Sequence, residues 1–200
     1  MKLSTILDKI RGIHRYATAD DIRRVFGDYH NALHWLAVFL IGDEKLADSC
    51  IVDACNIAQT RGPIYHEWLV HWAARATVRC AFQSQHAQIA QLAAEYEKNE
   101  SVYEMHSPLS AECFRLLIQN SELIHARLDV LCRFVLVLRG IGKDSCDAVA
   151  AQLGISPISA ERAYNVAFDT LGLLQRDATT MQTLRPSGHI YDESALAPID

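Results

Sequence analysis

The segment His66-Glu67-Trp68-Leu69-Val70-His71 places two imidazoles around a carboxylate, the residue types of a helical zinc-hydrolase motif. That motif needs its histidines at i and i+4, on one helix face. Here they stand at i and i+5, about 140° apart on a helix turning 100° per residue. Metal-assisted hydrolysis is therefore not expected. His30 and His34 do share a face at i, i+4, but zinc needs further ligands, and surface or half-buried histidines are the reading adopted. Six cysteines, at 50, 55, 80, 113, 132 and 146, form no CxxC and fall mostly in apolar helical stretches. They read as reduced, buried small hydrophobes rather than a disulfide framework. No GxGxxG, phosphate loop or Ser-His-Asp order occurs. The expectation is a protein that is not an enzyme, with no metal, no cofactor and no small-molecule substrate.

The elements that would carry these residues are helical. The chain has 200 residues, half of them hydrophobic and 22% charged, which is globular rather than disordered composition. Ile6, Ile10 and Ile13 lie on one face of a first helix, and Ile22, Val25, Phe26, Tyr29, Leu33, Leu36, Ala37 and Leu40 keep helical spacing over a longer second one. Gly42 stops it, and Asp43 is placed to cap a third helix through about Gln59. Arg61-Gly62-Pro63 breaks that helix before a fourth from about Tyr65 to Gln83. No stretch sustains period-two alternation, so the fold class expected is all-α.

Charge divides the chain. The net charge is +1 over residues 1–83, −3 over 84–110, −1 over 111–174 and −2 over 175–200, for −5 in all. A chain binding nucleic acid with its whole surface would be basic, so any such contact has to be a local patch. Residues 84–110 read as a linker, helical in its first half through Ile89, Leu92, Ala93 and Tyr96. Residues 1–83 form an N-terminal domain, 111–174 a second domain, and 175–200 a loose tail. Residues 1–25 hold 6 basic and 3 acidic side chains, and read as an extra amphipathic helix packed on the first domain, with a contacting arm as the alternative. No apolar run approaches the roughly 18 residues that cross a bilayer. The N-terminus mixes apolar and charged residues unlike a secretion signal, so a cytoplasmic protein with no membrane partner is expected.

Residues 145–171, SCDAVAAQLGISPISAERAYNVAFDTL, contain a helix, a glycine turn and a second helix. Ala148, Val149, Leu153 and Ile155 would face a small core. Gly154 sits where the chain leaves the first helix, Ser156 or Ser159 can cap the second, and Ala163, Val166, Ala167 and Leu171 point inward. The apolar helix LDVLCRFVLVLRG (128–140) can close over the pair. This is the layout of a DNA-binding helix-turn-helix, and also of an ordinary helical hairpin.

Two separated blocks resemble the sigma-70 superfamily of the extracytoplasmic-function type. FLIGDEKLADSCIVDACNIA (39–58) matches its region 2 at Gly42, Asp43 and Ala47, and YHEWLVHWAAR (65–75) matches at Tyr65, Trp68, Leu69 and Ala73. LDVLCRFVLVLRGIGKDSCDAVAAQLGIS (128–156) is similar to region 4 at Leu128, Arg133, Val135, Leu136, Leu138, Arg139, Ser145, Val149, Ala150 and Leu153-Gly154-Ile155-Ser156. The resemblance covers about 20–83 and 111–174.

It implies two small helical domains joined by a linker, and a sigma-factor-like transcription initiation protein binding core RNA polymerase and promoter DNA. Helix 44–58 would meet polymerase through Asp48, Ser49, Val52 and Asp53. Helix 65–82 would face the −10 element, with Tyr65, Trp68 and Trp72 as aromatics able to stack on a base and Arg75 and Arg79 as cations. Helix 159–172 would enter the major groove at the −35 element through Ser159, Arg162 and Asn165, with Arg139 and Lys143 positioning phosphates. A regulator of anti-sigma type is a further partner the family suggests.

The chain departs from the family where charge matters. Val52 replaces a Gln and Cys55 a Phe. Positions that are basic in the family hold Glu161, Val166, Phe168 and Asp169, giving the recognition helix a formal charge of −1. Each lost cation weakens phosphate binding and flattens its salt dependence. The alternative is accordingly a degenerate interaction module that keeps the fold, binds a regulator or dimerises, and does not read DNA.

Overall fold

Helix boundaries fall where the local chemistry demands them. The computed structural model describes residues 16–60, 62–98, 121–140 and 142–183. Among these are eight α-helices, one 3-10 turn at His66–Trp68 and no strand. The expected helix around Ile6, Ile10 and Ile13 and the segment 99–120 lie outside the described residues.

Helix α1 (Ala19–Asp28) starts with a capping box. The Thr18 hydroxyl accepts from the Asp21 N–H at 3.2 Å, and the Asp21 carboxylate accepts from the Thr18 N–H at 2.9 Å. Helix α2 (His30–Ile41) follows after a single residue, Tyr29. The expected single helix over 22–40 is thus broken in two. Tyr29 takes φ −103° and ψ 13°, off the helical well, next to the poor helix former Gly27. Its N–H still reaches Val25 O at 3.0 Å, so the apolar period runs on through the kink.

Gly42 ends α2 in the left-handed conformation at φ 86°, and the Asp43 carboxylate caps α3 (Glu44–Thr60) by accepting from the Leu46 N–H at 2.9 Å. Helix α4 (Leu69–Lys98) is longer than its expected span. It has 30 residues, about 45 Å at 1.5 Å per residue, and carries straight on into the Gln- and Ala-rich stretch. Leu69, Ala73, Ala76, Thr77, Cys80 and Ala81 are buried in its first part, and Ile89 and Ala93 in its second.

Helix α5 (Ser121–Arg127) leads into α6 (Val130–Gly140), in which every residue from Val130 to Leu138 is buried. A helix buried on all sides, its Arg133 included, must be surrounded. α6 touches α2, α4, α7 and α8. The turn after α6 leads to α7 (Cys146–Leu153), capped by Ser145, whose hydroxyl accepts from the Ala148 N–H at 3.2 Å. Gly154 closes α7 at φ 65°. Ser156, not Ser159, caps α8 (Pro157–Thr183), accepting from the Ser159 N–H at 3.1 Å. Pro157 opens α8, at the position where a missing N–H costs least. The α8 backbone continues past Leu174, where a loose tail was expected, to Thr183.

The two sequence blocks pack on each other. α2 meets α5 and α6, and α4 meets α6, α7 and α8. The buried side chains of both form one continuous core. No helix of the described residues is long and apolar enough to cross a membrane.

Candidate functional site

The outer face of α3 is open. Asp48, Ser49, Val52 and Asp53 are all exposed, and Leu46 joins them. Val52 is 59% exposed and Leu46 51%. With Lys45 and Asn56 these side chains span an arc of about 160° at 100° per residue. Ala47, Cys50, Ile51, Ala54 and Ala58 fill the opposite face and anchor α3 to the core. The Asp48 carboxylate lies 3.1 Å from His34 Nε2 on α2, and the Ser49 hydroxyl donates to the Lys45 carbonyl at 3.2 Å. Leu46 and Val52 are thus two exposed apolar side chains in a polar, partly acidic surround.

An aromatic group gathers at the start of α4. Tyr65 packs on Tyr16 with ring centroids 4.8 Å apart, their hydroxyls 3.3 Å apart, and meets Trp68 edge-on at 5.7 Å. The backbone seals the pairing, Ala17 N donating to Ile64 O at 2.8 Å. Trp68 is 58% exposed. His66, in the 3-10 turn, lies 3.5 Å from Asp21, whose carboxyl is held below the usual range first by the Thr18 hydroxyl. His71 is exposed on α4, and His66 and His71 do not share a helix. No group of three or more potential metal ligands occurs among the described residues. Tyr16 had no sequence signal, because its partner is 49 residues away.

Trp72, Arg75 and Arg79 lie further along α4 on the side facing the helix-turn-helix. Arg75 reaches Asp144 at 3.4 Å, across the two blocks. Lys143 is exposed, in the left-handed conformation at φ 54°. Arg139 is turned inward, its guanidinium 4.0 Å from the centroid of the buried Tyr164 ring and its Nη1 donating to Cys146 Sγ at 2.8 Å. A single basic strip through Arg75, Arg79, Arg139, Lys143 and Arg162 is therefore interrupted at both Arg139 and Arg162.

The three residues expected to read bases on α8 are engaged inside the protein. Ser159 is buried and its hydroxyl donates to the Ala93 carbonyl of α4 at 2.8 Å. Arg162 Nη1 donates to the carbonyls of Tyr96 at 2.7 Å and Glu97 at 3.0 Å. Asn165 is 2% exposed. A cation on the last carbonyls of α4 satisfies acceptors the helix leaves open and complements its dipole. Tyr96 completes the clasp, its hydroxyl donating to Asp129 Oδ2 at 2.7 Å and lying 3.1 Å from Cys132 Sγ. Burial pushes the Tyr96 hydroxyl and the Cys132 thiol up, so both stay protonated. In this arrangement the α8 face that carries Ser159, Arg162 and Asn165 is closed against α4.

Of the cysteines, Cys50, Cys80 and Cys132 are buried and Cys55 and Cys146 half-buried, all as free thiols; Cys113 lies outside the described residues. Cys50 Sγ donates to the Thr77 carbonyl at 3.5 Å, and its hydrogen bond with Cys80 pushes the Cys50 thiol up and holds the Cys80 thiol down.

No protein-family model, curated protein or solved structure matches this chain.

Proposed function

We propose that the chain is a sigma-factor-like protein of transcription initiation, cytoplasmic, with residues 1–83 acting as a region 2-like domain and 111–174 as a region 4-like helix-turn-helix. It binds core RNA polymerase through Asp48, Ser49, Val52 and Asp53, with Leu46 widening the patch. Promoter DNA meets Tyr65, Trp72, Arg75, Arg79 and Lys143, and the α8 residues Ser159, Arg162 and Asn165 once α8 leaves α4. The observation that carries the reading is the helix-turn-helix itself, with a serine cap, a left-handed glycine and a second serine cap in order. It stands beside a separate α3 face exposing Val52 and Leu46. The test is capture of reconstituted core polymerase by the full chain, followed by run-off transcription.

A second reading, an interaction module without DNA recognition, is favoured by the inward placement of Ser159, Arg162 and Asn165 and by the −1 charge of the recognition helix. In that reading the α3 face binds a regulator, a second copy or polymerase alone. Double-stranded DNA binding with a steep salt slope by a variant whose α8 is freed excludes it.

A further inference from the structure

Where the two blocks meet they leave a cleft of about 650 Å³, within the range of small-molecule sites. One wall is a stripe of α4 at i, i+3, i+7 and i+10: Trp72, Arg75, Arg79 and Phe82. Phe82 is held edge-on to the buried Phe134, with centroids 6.1 Å apart. The other wall sets Val137 and Leu138 of α6 and Leu153 of α7 beside the polar Asp144 and Gln152. Charge lies among these lining residues. Arg75 is shared with Asp144, which also accepts from Gln152 Nε2 at 2.9 Å. Arg79, one turn further on and exposed, has no ion-pair partner among the described residues.

We propose that this cleft binds a small amphipathic monoanion, a single carboxylate on an aromatic or aliphatic body, with the carboxylate on Arg79 and the body between Trp72, Phe82 and Leu138. A guanidinium fork matches a carboxylate in two parallel hydrogen bonds. The apolar side chains of the walls select against a fully hydrated anion, and Asp144 selects against a polyanion, because the excess charge is a single cation. Such a ligand touches α4 on one side and α6 and α7 on the other, so it binds the closed arrangement better than an open one and shifts the population toward closed. Its effect on transcription rests on the functional reading above; its binding does not.

Decanoate is the probe, titrated into the full chain below its micelle range and followed by Trp fluorescence and calorimetry. Saturation at one equivalent is expected, with affinity about tenfold weaker for Arg79→Gln, the loss of one charge-assisted contact. Decanol, which lacks the charge, should bind both proteins alike. Ala74→Met, which narrows the cleft from a half-buried position, should weaken both ligands and leave the helical circular dichroism unchanged. No saturation at millimolar decanoate, uptake of many equivalents, or equal affinity in Arg79→Gln overturns the proposal. So does binding that appears only when Glu100, Glu104 and Glu112 are replaced by Gln, which would make the chain's own acidic segment the occupant. One-to-one decanoate binding without capture of core polymerase leaves the cleft standing and removes the functional reading.

Discussion

Two glycines with the same backbone requirement sit in different surroundings, and the contrast measures what joins the blocks. Gly42 and Gly154 both have positive φ, at 86° and 65°. A Cβ on Gly154 would meet open space, whereas one on Gly42 would run into Nε2 and Cε1 of His125 on α5. Gly154→Ala should therefore cost about 1 kcal/mol, the left-handed penalty alone. Gly42→Ala should cost about 3 kcal/mol, because the imidazole must also shift. Urea denaturation measures both, and His125→Ala in the Gly42→Ala background should recover the difference.

His125 also sets a pH window. Its Nε2 is buried without a hydrogen-bond partner among the described residues, and burial, then the nearby Arg133, holds its pKa below the ordinary histidine value. The unfolded chain therefore takes up this proton more readily. Stability from the neutral imidazole is fully present above about pH 6.5 and is lost as pH falls through the folded pKa. The unfolding free energy should drop as pH falls below about 6.5, and His125→Gln should flatten that part of the profile. Asp21, held below the ordinary carboxylate value by the Thr18 hydroxyl, titrates at lower pH than this.

At the scale of elements, the end of α4 and the start of α8 are tied by polar contacts between residues about 66 apart in sequence. Tyr96→Phe removes the bonds to Asp129 and Cys132 and should cost about 1–2 kcal/mol. Hydrogen exchange should rise at the C-terminal turn of α4 and at the start of α6, where Asp129 and Cys132 lie, while α3 stays protected. Unchanged exchange there would mean that the clasp contributes nothing to docking.

The same elements show what a sequence can and cannot say. Gly42 with Asp43, and Gly154 with a serine cap left open between Ser156 and Ser159, were legible because a left-handed glycine followed by a capping oxygen is local chemistry. α6 was legible as a strongly apolar stretch because eight of the nine residues from Val130 to Leu138 are hydrophobic and buried in one core, Arg133 being the ninth. The break at Tyr29 was not, since Val25, Phe26, Leu33 and Leu36 keep helical spacing across it. The orientation of Ser159, Arg162 and Asn165 was not legible either. A polar side chain on a helix looks the same whether its partner is a distant carbonyl or a nucleic acid. The α3 residues Asp48, Ser49, Val52 and Asp53 were singled out by resemblance rather than by spacing, and they lie exposed, but Tyr16 joined Tyr65 only through tertiary pairing.

For the whole molecule, docking and the proposed DNA reading would compete for one surface. α8 cannot present Ser159 and Arg162 to a groove while they bond α4 carbonyls. Ala93→Arg, which forces a long cation into the buried contact beneath Ser159, should swing α8 free. The radius of gyration should then increase and double-stranded DNA binding should appear with a negative salt slope, while total helicity is kept. Separation without DNA binding would select the interaction-module reading.

The most direct measurement is equilibrium binding of the full chain to purified core RNA polymerase, comparing wild type with Val52→Arg on the exposed face of α3. The account predicts saturable one-to-one binding at micromolar concentration or tighter, weakened at least about tenfold by Val52→Arg, whose helicity and melting temperature stay those of wild type. Absence of binding at micromolar polymerase, or equal binding by the variant, would contradict it.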